Sequence, residues 1–200
     1  MNSKITYGLV KKNIQRSDYK LPIIRGREKN IAIMLIGRLR LKSILDVGAG
    51  NRDLKSILPD FCSYKSMDTD KSQKHDYYNL NEIKTTFDCV VMLEVIEHMH
   101  IEKTIETLKK IKKLLKKDGV LIISTPNTYT LYCSDIFHEH FYPATGLLSI
   151  LSILGYRPFF AVRVTGNNLF AQFLRKIISK ITLPLLFYDP CPTIVIACRR

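Results

Sequence analysis

The stretch from residue 44 to residue 50, Ile-Leu-Asp-Val-Gly-Ala-Gly, constrains the fold of this chain more than any other. Its apolar residues predict a buried strand, and Gly48 and Gly50 break that strand at once. Glycine has no Cβ, so a ligand can approach the backbone closely, and a helix that begins after the turn leaves N–H groups free. In a parallel α/β sheet, nucleotide-like ligands bind at such a turn. The stretch therefore predicts an α/β fold with a ligand at this point.

Strands and helices alternate along the rest of the chain. Further strands are predicted over residues 62–67, 76–80, 87–93, 120–124, 157–164 and 193–198. Helices are predicted over residues 27–40, 53–58, 101–117 and 145–154, and Gly119 stands where a left-handed residue would end the third of them. The run 87–93 is almost entirely apolar, which is typical of a strand buried on both faces. This alternation predicts a mostly parallel sheet with helices on both faces.

The size and composition of the chain favour one domain. A length of 200 residues and a hydrophobic content of 46% are sufficient for a core that needs no metal or disulfide. We expect a single domain over residues 1–200, with a loose basic arm or short lid over residues 1–25 and an apolar excursion over residues 169–187. The five cysteines include no C-x-x-C pair, which argues against a zinc ribbon. The chain lacks both a signal-peptide core and an apolar run of ~20 residues, so we expect a cytoplasmic protein.

The formal net charge of +13 bears on the choice of partner. Such an excess favours nucleic acid, a membrane surface or a phosphorylated substrate, although a lysine-rich composition also produces it without any partner. The lysines between residues 109 and 117 are expected on a solvated helix face, because no aromatic residues for base stacking lie among them. The apolar segment 169–187 carries three basic residues and either packs over the pocket or rests on a membrane or lipid-like substrate.

Ligands of open α/β sheets lie at the carboxyl ends of the strands. Outside the glycine turn, the residues predicted at those ends are Asp68, Asn79, Leu80, Leu93 and Glu94. A carboxylate at the end of the second strand is suited to accept hydrogen bonds from the two hydroxyls of a ribose. Asp68 has that position, and Asp70 is the alternative.

Five motifs occur in a set order. They are 45–50 (Leu-Asp-Val-Gly-Ala-Gly), Met67-Asp68, Asn79-Leu80, the run 87–98 ending in Glu-Val-Ile-Glu-His, and 119–127 (Gly-Val-Leu-Ile-Ile-Ser-Thr-Pro-Asn). Together they resemble the class I S-adenosylmethionine-dependent methyltransferases over residues 43–156, and more weakly to the end of the chain. The resemblance implies a Rossmann-like sheet of seven strands, mostly parallel with the last strand antiparallel, and S-adenosyl-L-methionine as the cofactor.

The resemblance also implies a set of cofactor-binding residues. The turn would hold the methionine part of the cofactor, Asp68 its ribose, Asn79 and Leu80 its adenine, and Leu93 with Glu94 the floor of the site. The turn residues implied are Asp46, Gly48, Ala49 and Gly50. Two positions depart from the pattern: Arg52 stands where many relatives have a third glycine, and Asn79 where many have an aspartate. The backbone N–H of Arg52 and the side-chain amide of Asn79 can still form hydrogen bonds with such a ligand.

Acidic and histidine residues follow the fourth and fifth predicted strands. Glu94, Glu97 and His98 lie within one helical turn, and His138 and His140 come later in the chain. A histidine can act as a general base for methyl transfer. Alternatively, Glu94, Glu97, His98 and one of the two later histidines can be the four ligands of a divalent metal, an arrangement that resembles the small-RNA terminal ribose methyltransferases. A third interpretation is that the carboxylates only stabilise the start of a helix.

We predict that the chain is a methyltransferase that uses S-adenosyl-L-methionine to methylate a small-molecule acceptor at oxygen. The candidate catalytic residues are His98, His138 and His140. The alternatives are a metal-dependent RNA ribose methyltransferase and a relative that binds the cofactor without turnover. A peripheral membrane association with a lipid-linked substrate is a further option for the apolar segment.

Overall fold

The computed structural model describes residues 21–128, 136–166, 177–178 and 191–200, and these form one seven-stranded sheet with helices on both faces. The strands are β1 (Ile23–Ile24), β2 (Ser43–Val47), β3 (Ser63–Met67), β4 (Phe87–Leu93), β5 (Leu115–Pro126), β6 (Arg157–Val164) and β7 (Thr193–Arg199). Their order in the sheet is β1-β6-β7-β5-β4-β2-β3. β7 runs antiparallel to both of its neighbours, β5 and β6, and all other pairs are parallel. The predicted fold class is confirmed.

In the part of the chain that the structure describes, three α-helices have defined bounds and cover the sheet: α1 (Glu28–Leu39), α2 (Ile101–Leu114) and α3 (Ala144–Ile153). α1 packs on one face through Ile31, Leu35 and Ile36, while α2 and α3 pack on the other through Leu108 and Leu147, among others. Short 3-10 helices occupy residues Asp53–Ile57, Leu80–Glu82 and Ile96–His98. The side chains of the central strands alternate between the two cores, so that each strand is held from both sides.

The strand predicted over residues 76–80 does not form, and a different strand completes the seven. Residues 76–80 form only an isolated parallel bridge between Tyr77 and Met67. Asp76 is responsible, because its carboxylate accepts hydrogen bonds from the Ser66 N–H at 2.9 Å and from Lys65 Nζ at 2.8 Å. The Ser66 N–H is thus bonded to a side chain rather than to a backbone carbonyl, and Tyr77 alone pairs with β3 through its backbone. The prediction of a strand over residues 76–80 was wrong. Asn79 nevertheless lines the same cavity as the carboxyl end of β3.

The seventh strand is β1, which lies in the segment predicted as a loose arm or lid. Ile23 pairs with Arg163 and Ile24 with Val164, both in parallel register. The buried Arg163 side chain also donates to the Leu21 carbonyl, at 3.2 Å from Nε. Residues 21–25 are therefore fixed to the sheet, and the prediction of a loose arm was wrong for them. The rest of the arm, residues 1–20, lies outside the described residues.

The helix predicted over residues 101–117 ends earlier than expected. α2 stops at Leu114 and β5 begins with the buried Leu115. The left-handed residue is Asp118, with φ of 62°, rather than Gly119. Two lysines of the expected solvated face have partners: Lys112 donates to the Leu154 carbonyl at 2.7 Å, and Lys116 pairs with Asp88 at 2.9 Å. That face is therefore only partly solvated.

The apolar segment 169–187 lies outside the described residues except for Ile177 and Ile178, which are helical and exposed. Among the residues that the structure describes, none of the helices has the length and apolar character needed to cross a bilayer.

Candidate active site

The glycine turn after β2 is fixed against the end of β3. The N–H groups of Gly48 and Ala49 both donate to the Met67 carbonyl, at 2.9 and 3.2 Å, and the Gly50 N–H donates to Asp68 Oδ2 at 2.8 Å. Gly48 and Gly50 have positive φ values of 73° and 45°, which glycine adopts without strain. The turn and the carboxylate that the sequence assigned to one ligand are therefore in direct contact.

Arg52 has a left-handed backbone as well, with φ of 58°. Three residues of the turn, at alternate positions, thus share this conformation. Only the third carries a side chain, at the position where the resemblance leads us to expect glycine. Arg52 therefore keeps the backbone conformation of the glycine it replaces. The cost is conformational strain at Arg52, and the turn itself is not changed.

An open cavity of about 600 Å³ lies at the carboxyl ends of β2, β3 and β4. Its volume is in the range of small-molecule and cofactor sites. Of the residues that the sequence predicted for the site, those that line it are Gly48, Asp68, Asn79, Leu80, Glu94 and His98. The topology thus brings the ends of three strands and the start of the segment before α2 around one space.

The other predicted residues do not line this cavity. Asp46 is buried and accepts a hydrogen bond from the Tyr64 hydroxyl at 2.8 Å, and burial raises its pKa to about 6. Leu93 packs against the core on the α1 side of the sheet. Ala49 and Gly50 are in the turn itself, next to Gly48. His140 stacks edge-on against the buried Tyr142, with ring centroids 4.7 Å apart.

The structure distinguishes Asp68 from its competitor Asp70. Asp68 lines the cavity, and Asp70 does not. Both carboxylate oxygens of Asp70 accept hydrogen bonds from Ser72, from its N–H at 2.8 Å and its hydroxyl at 2.7 Å. Asp68 also accepts one hydrogen bond on each oxygen, from the N–H groups of Gly50 and Asp70, so each oxygen keeps a lone pair. Its position in the cavity lining is what makes Asp68, rather than Asp70, available to a ribose hydroxyl.

We expect Asp68→Asn to weaken cofactor binding by about 10- to 150-fold, because it replaces a charge-assisted hydrogen bond worth 1.5–3 kcal/mol. Asparagine retains an oxygen for the Gly50 N–H, so the turn should persist. Titration calorimetry with the cofactor measures the effect, and Asp70→Asn is the matched control. A larger loss in Asp70→Asn than in Asp68→Asn would contradict this assignment.

Asn79 is engaged by its own turn. Its Oδ1 accepts a hydrogen bond from the Asn81 N–H at 2.9 Å at the start of the 3-10 helix Leu80–Glu82. An aspartate could cap this turn in the same way. The asparagine differs in presenting an NH₂ group, which donates to a ligand where a carboxylate would accept.

Glu94 follows β4 and is tied to β5. Its backbone is left-handed, with φ of 55°, and its Oε1 accepts a hydrogen bond from the Ser124 hydroxyl at 2.6 Å. Burial, with the nearby Glu97 carboxylate, raises the pKa of Glu94 to about 8. At neutral pH this side chain is mainly a neutral acid that lines the cavity.

This raised pKa predicts how stability depends on pH. The folded protein holds the Glu94 proton to about pH 8, whereas an unfolded chain releases it near pH 4.5. The free energy of unfolding should therefore fall as pH rises from about 4.5 to about 8 and then level off. We expect Glu94→Gln to flatten this decline and to be more stable than the parent at pH 8, by on the order of 1–3 kcal/mol.

Urea unfolding at several pH values measures this effect. Glutamine keeps an oxygen for the Ser124 hydroxyl, and Glu102→Gln, on the exposed side of α2, is the control. Parallel pH curves for Glu94→Gln and the parent protein would contradict the raised pKa.

Glu97 is almost completely buried, with 1% of its surface exposed. Its Oε2 accepts a hydrogen bond from the Thr125 hydroxyl at 3.2 Å, while Oε1 has no hydrogen-bond partner among the described residues. Burial raises the pKa of Glu97, and the nearby His98 and His138 act in the opposite direction. The carboxyl groups of Glu94 and Glu97 therefore bond to β5, and neither caps α2, which begins after His100 without a side-chain cap.

Glu97, His98 and His138 form a cluster in which one ligand atom from each lies within 4.8 Å of the others. The rings of His98 and His138 have centroids 5.0 Å apart. His98 Nδ1 lies 3.1 Å from the Phe137 carbonyl oxygen, which only accepts, so Nδ1 carries the proton. In the neutral ring, Nε2 of His98 is then the basic nitrogen.

Sequence reasoning missed the contribution of α2 to the cavity. The residues of α2 that line it are Lys103, Glu106, Thr107 and Lys110. Their spacing of three and four residues places them on one helix face, which the sequence does show. A polar face of this kind is usually exposed to solvent, so periodicity alone did not indicate a cavity.

Comparison with known proteins adds a family and a fold. The family model described as "Methyltransferase domain" matches residues 23–157. No curated protein matches the sequence.

Solved structures resemble the chain over most of its length. A SAM-dependent methyltransferase from Archaeoglobus fulgidus has a TM-score of 0.61 at 15% identity, covering 98% of this chain and 100% of its own. The 1,6-didemethyltoxoflavin-N1-methyltransferase of Burkholderia thailandensis, solved with S-adenosylhomocysteine, has a TM-score of 0.61 at 14% identity, covering 100% and 93%. The [4+2]-cyclase SpnF has a TM-score of 0.58 at 12% identity, covering 86% and 80%. At these identities the likeness establishes the fold alone.

Proposed function

The chain belongs to the family of methyltransferase domains with S-adenosylmethionine as methyl donor, and on that premise we propose that it methylates a small-molecule acceptor at an oxygen atom. The observation that carries the proposal is the cluster of Glu97, His98 and His138 beside the cavity that Gly48 and Asp68 line. A proton acceptor and a cofactor site are then next to each other.

The glycine turn would hold the methionine part of the cofactor, Asp68 would bond to the ribose hydroxyls, and Asn79 with Leu80 would contact the adenine. When bound, the cofactor would supply a methyl group on a sulfonium sulfur; an acceptor oxygen would displace it, and the sulfur would leave with the electron pair of the broken carbon–sulfur bond as a neutral thioether. Such an in-line displacement depends mainly on how the protein positions donor and acceptor.

A hydroxyl acceptor must also lose a proton, and a histidine is the natural recipient near neutral pH. His98 is the base in this proposal, because Nε2 is its basic nitrogen and the residue lines the cavity. The Glu97 carboxylate then stabilises the imidazolium that forms. A neutral amine attacks through a lone pair that is already available, so its attack depends less on a base than the attack of a hydroxyl does. A base beside the cofactor site therefore favours a hydroxyl acceptor.

The same cluster favours a second candidate, a metal-dependent RNA ribose methyltransferase. Glu97, His98 and His138 offer three ligands of the kind that divalent metals bind. Oε1 of Glu97, which has no hydrogen-bond partner among the described residues, fits that use. Such a metal would bind and orient two neighbouring hydroxyls. Glu94 does not belong to the cluster, since its carboxyl bonds to Ser124, so the four-ligand set suggested by the sequence is reduced to three.

The test is a transfer assay with ¹³C-methyl S-adenosylmethionine and fractionated small-molecule and RNA extracts. We expect a labelled small molecule whose methyl carbon has the chemical shift of an ether or ester, formed equally well with EDTA. Loss of transfer with EDTA, restored by Mn²⁺ and directed at RNA, would favour the second candidate. Cofactor binding by calorimetry without transfer to any fraction would overturn both and leave a non-catalytic relative.

A further inference from the structure

The segment of residues 136–141, which we call the histidine loop, exposes large apolar side chains at the active-site mouth. Ile136 is 90% exposed and Phe137 71%, and Phe141 is 44% exposed. No other large apolar side chain among the described residues exceeds 49%. The same loop carries His138 of the candidate catalytic cluster.

The histidine loop is anchored through its polar groups. The N–H groups of Glu139 and His140 donate to the Glu97 carbonyl, at 2.8 and 3.2 Å. The Glu139 carboxylate also lies 3.0 Å from His100 Nε2, and the Phe137 carbonyl accepts from His98. Surface loops usually expose polar groups and bury apolar ones. Here the N–H groups of Glu139 and His140 bond to the protein and the Glu139 carboxylate pairs with His100 at the surface, while the side chains of Ile136 and Phe137 are largely exposed.

The shape of this surface indicates what it contacts. Small molecules bind in concave sites, yet Ile136, Phe137 and Phe141 do not line the cavity. Side chains that stand out from the surface suit a soft apolar phase into which they can insert, as the apolar residues of membrane-surface proteins do. The chain also has a net charge of +13, which complements an anionic surface.

We propose that the histidine loop is a membrane-contact surface that binds anionic lipid and brings the mouth of the cavity to an acceptor held in the bilayer interface. The second part of this proposal, that the acceptor lies in the bilayer interface, rests on the proposed function. The first part, that the loop binds anionic lipid, does not. The apolar side chains supply burial in the interface, and the positive charge supplies long-range attraction. Binding should therefore need both apolar side chains and anionic lipid, and it should weaken as salt screens the charge.

The experiment uses the full chain and vesicles of phosphatidylcholine alone or with 30 mol% phosphatidylglycerol, in flotation without cofactor or acceptor. We expect the protein to float with the anionic vesicles only. Ile136→Ser combined with Phe137→Ser should lower the partition coefficient at least about tenfold, because two exposed apolar side chains are lost. Phe61→Ser is the matched control: Phe61 is 49% exposed and precedes the amino end of β3, whereas the cavity lies at the carboxyl end of that strand. Thermal unfolding of each variant verifies that it folds.

Three outcomes would overturn the proposal. They are no flotation of the parent protein, equal flotation with both kinds of vesicle, and equal losses in the loop variant and in Phe61→Ser. If the parent protein does not float, the exposed apolar side chains of the histidine loop would instead be assigned to contact with a protein partner. Because no turnover is measured, failure here leaves the proposed function standing, and failure of the transfer assay leaves this inference standing.

Discussion

Gly48→Ala is expected to lower cofactor affinity at least about 100-fold, by 2.7 kcal/mol or more. A Cβ at this position would lie 2.4 Å from Val95 Cγ2 and 3.2 Å from its Cγ1, and the backbone has a positive φ that alanine adopts only with strain. Either the turn or Val95 must move. Both line the cavity, so either movement displaces groups that hold the cofactor. Calorimetry with S-adenosylmethionine measures the loss.

Two matched variants separate the steric effect from backbone strain. Gly50 also has a positive φ, but nothing lies within 4 Å of a Cβ built there, so Gly50→Ala carries the strain alone. Val95→Ala removes both γ carbons and leaves Val95 Cβ at 3.4 Å, an ordinary contact. We therefore expect Gly48→Ala/Val95→Ala to recover toward the affinity of Gly50→Ala. Equal affinities for the two single glycine variants would contradict the close approach at Gly48.

The centre of the fold could be predicted because its signals are local. The apolar runs of β2 and β4 and the glycines after β2 specify buried parallel strands and a turn without reference to the rest of the chain. The sheet edges could not. β1 has two residues and depends on a pairing with Arg163 and Val164, about 140 residues away, and nothing in its sequence indicates that partner.

The ends of elements were set by side chains that sequence reasoning did not pair. Asp76 binds the backbone of β3, so residues 76–80 need no ladder of their own. Lys116 pairs with Asp88, and Leu115 is buried, so the chain leaves α2 before its helical pattern is exhausted. In each case a tertiary contact overrides a local preference.

The candidate site divides in the same way. Gly48 and Asp68 follow adjacent strands, and parallel strands end at one edge of a sheet, so their proximity follows from topology. The histidines do not follow from any regular element. His138 and His140 are two residues apart in an irregular loop. The bonds from Glu139 and His140 to the Glu97 carbonyl hold that loop with His138 beside His98 and His140 against Tyr142, and no local sequence pattern indicates those bonds.

The largest effect on turnover is expected from the proposed base. His98→Asn should lower kcat about 10²- to 10⁴-fold, the usual contribution of general base catalysis, with little change in cofactor affinity. Asparagine retains an N–H close to the position of Nδ1, so it can still donate to the Phe137 carbonyl and hold the histidine loop. It lacks the basic Nε2. The assay uses the acceptor fraction identified by labelled cofactor, and calorimetry measures cofactor binding separately.

His140→Asn is the matched control, because it changes the same residue type on the same loop, outside the cluster. The pH profile gives a second readout: the limb of kcat that reports the ionisation of the base should disappear in His98→Asn, and a purely structural role would leave it in place. A loss confined to His138→Asn would transfer the role of base to that residue. If the kcat values of the His98 and His138 variants both stay within about threefold of the parent, less than 1 kcal/mol in barrier, then the acceptor needs no histidine base. The proposal of a hydroxyl acceptor then fails, because a hydroxyl without a nearby proton acceptor is too poor a nucleophile for this displacement.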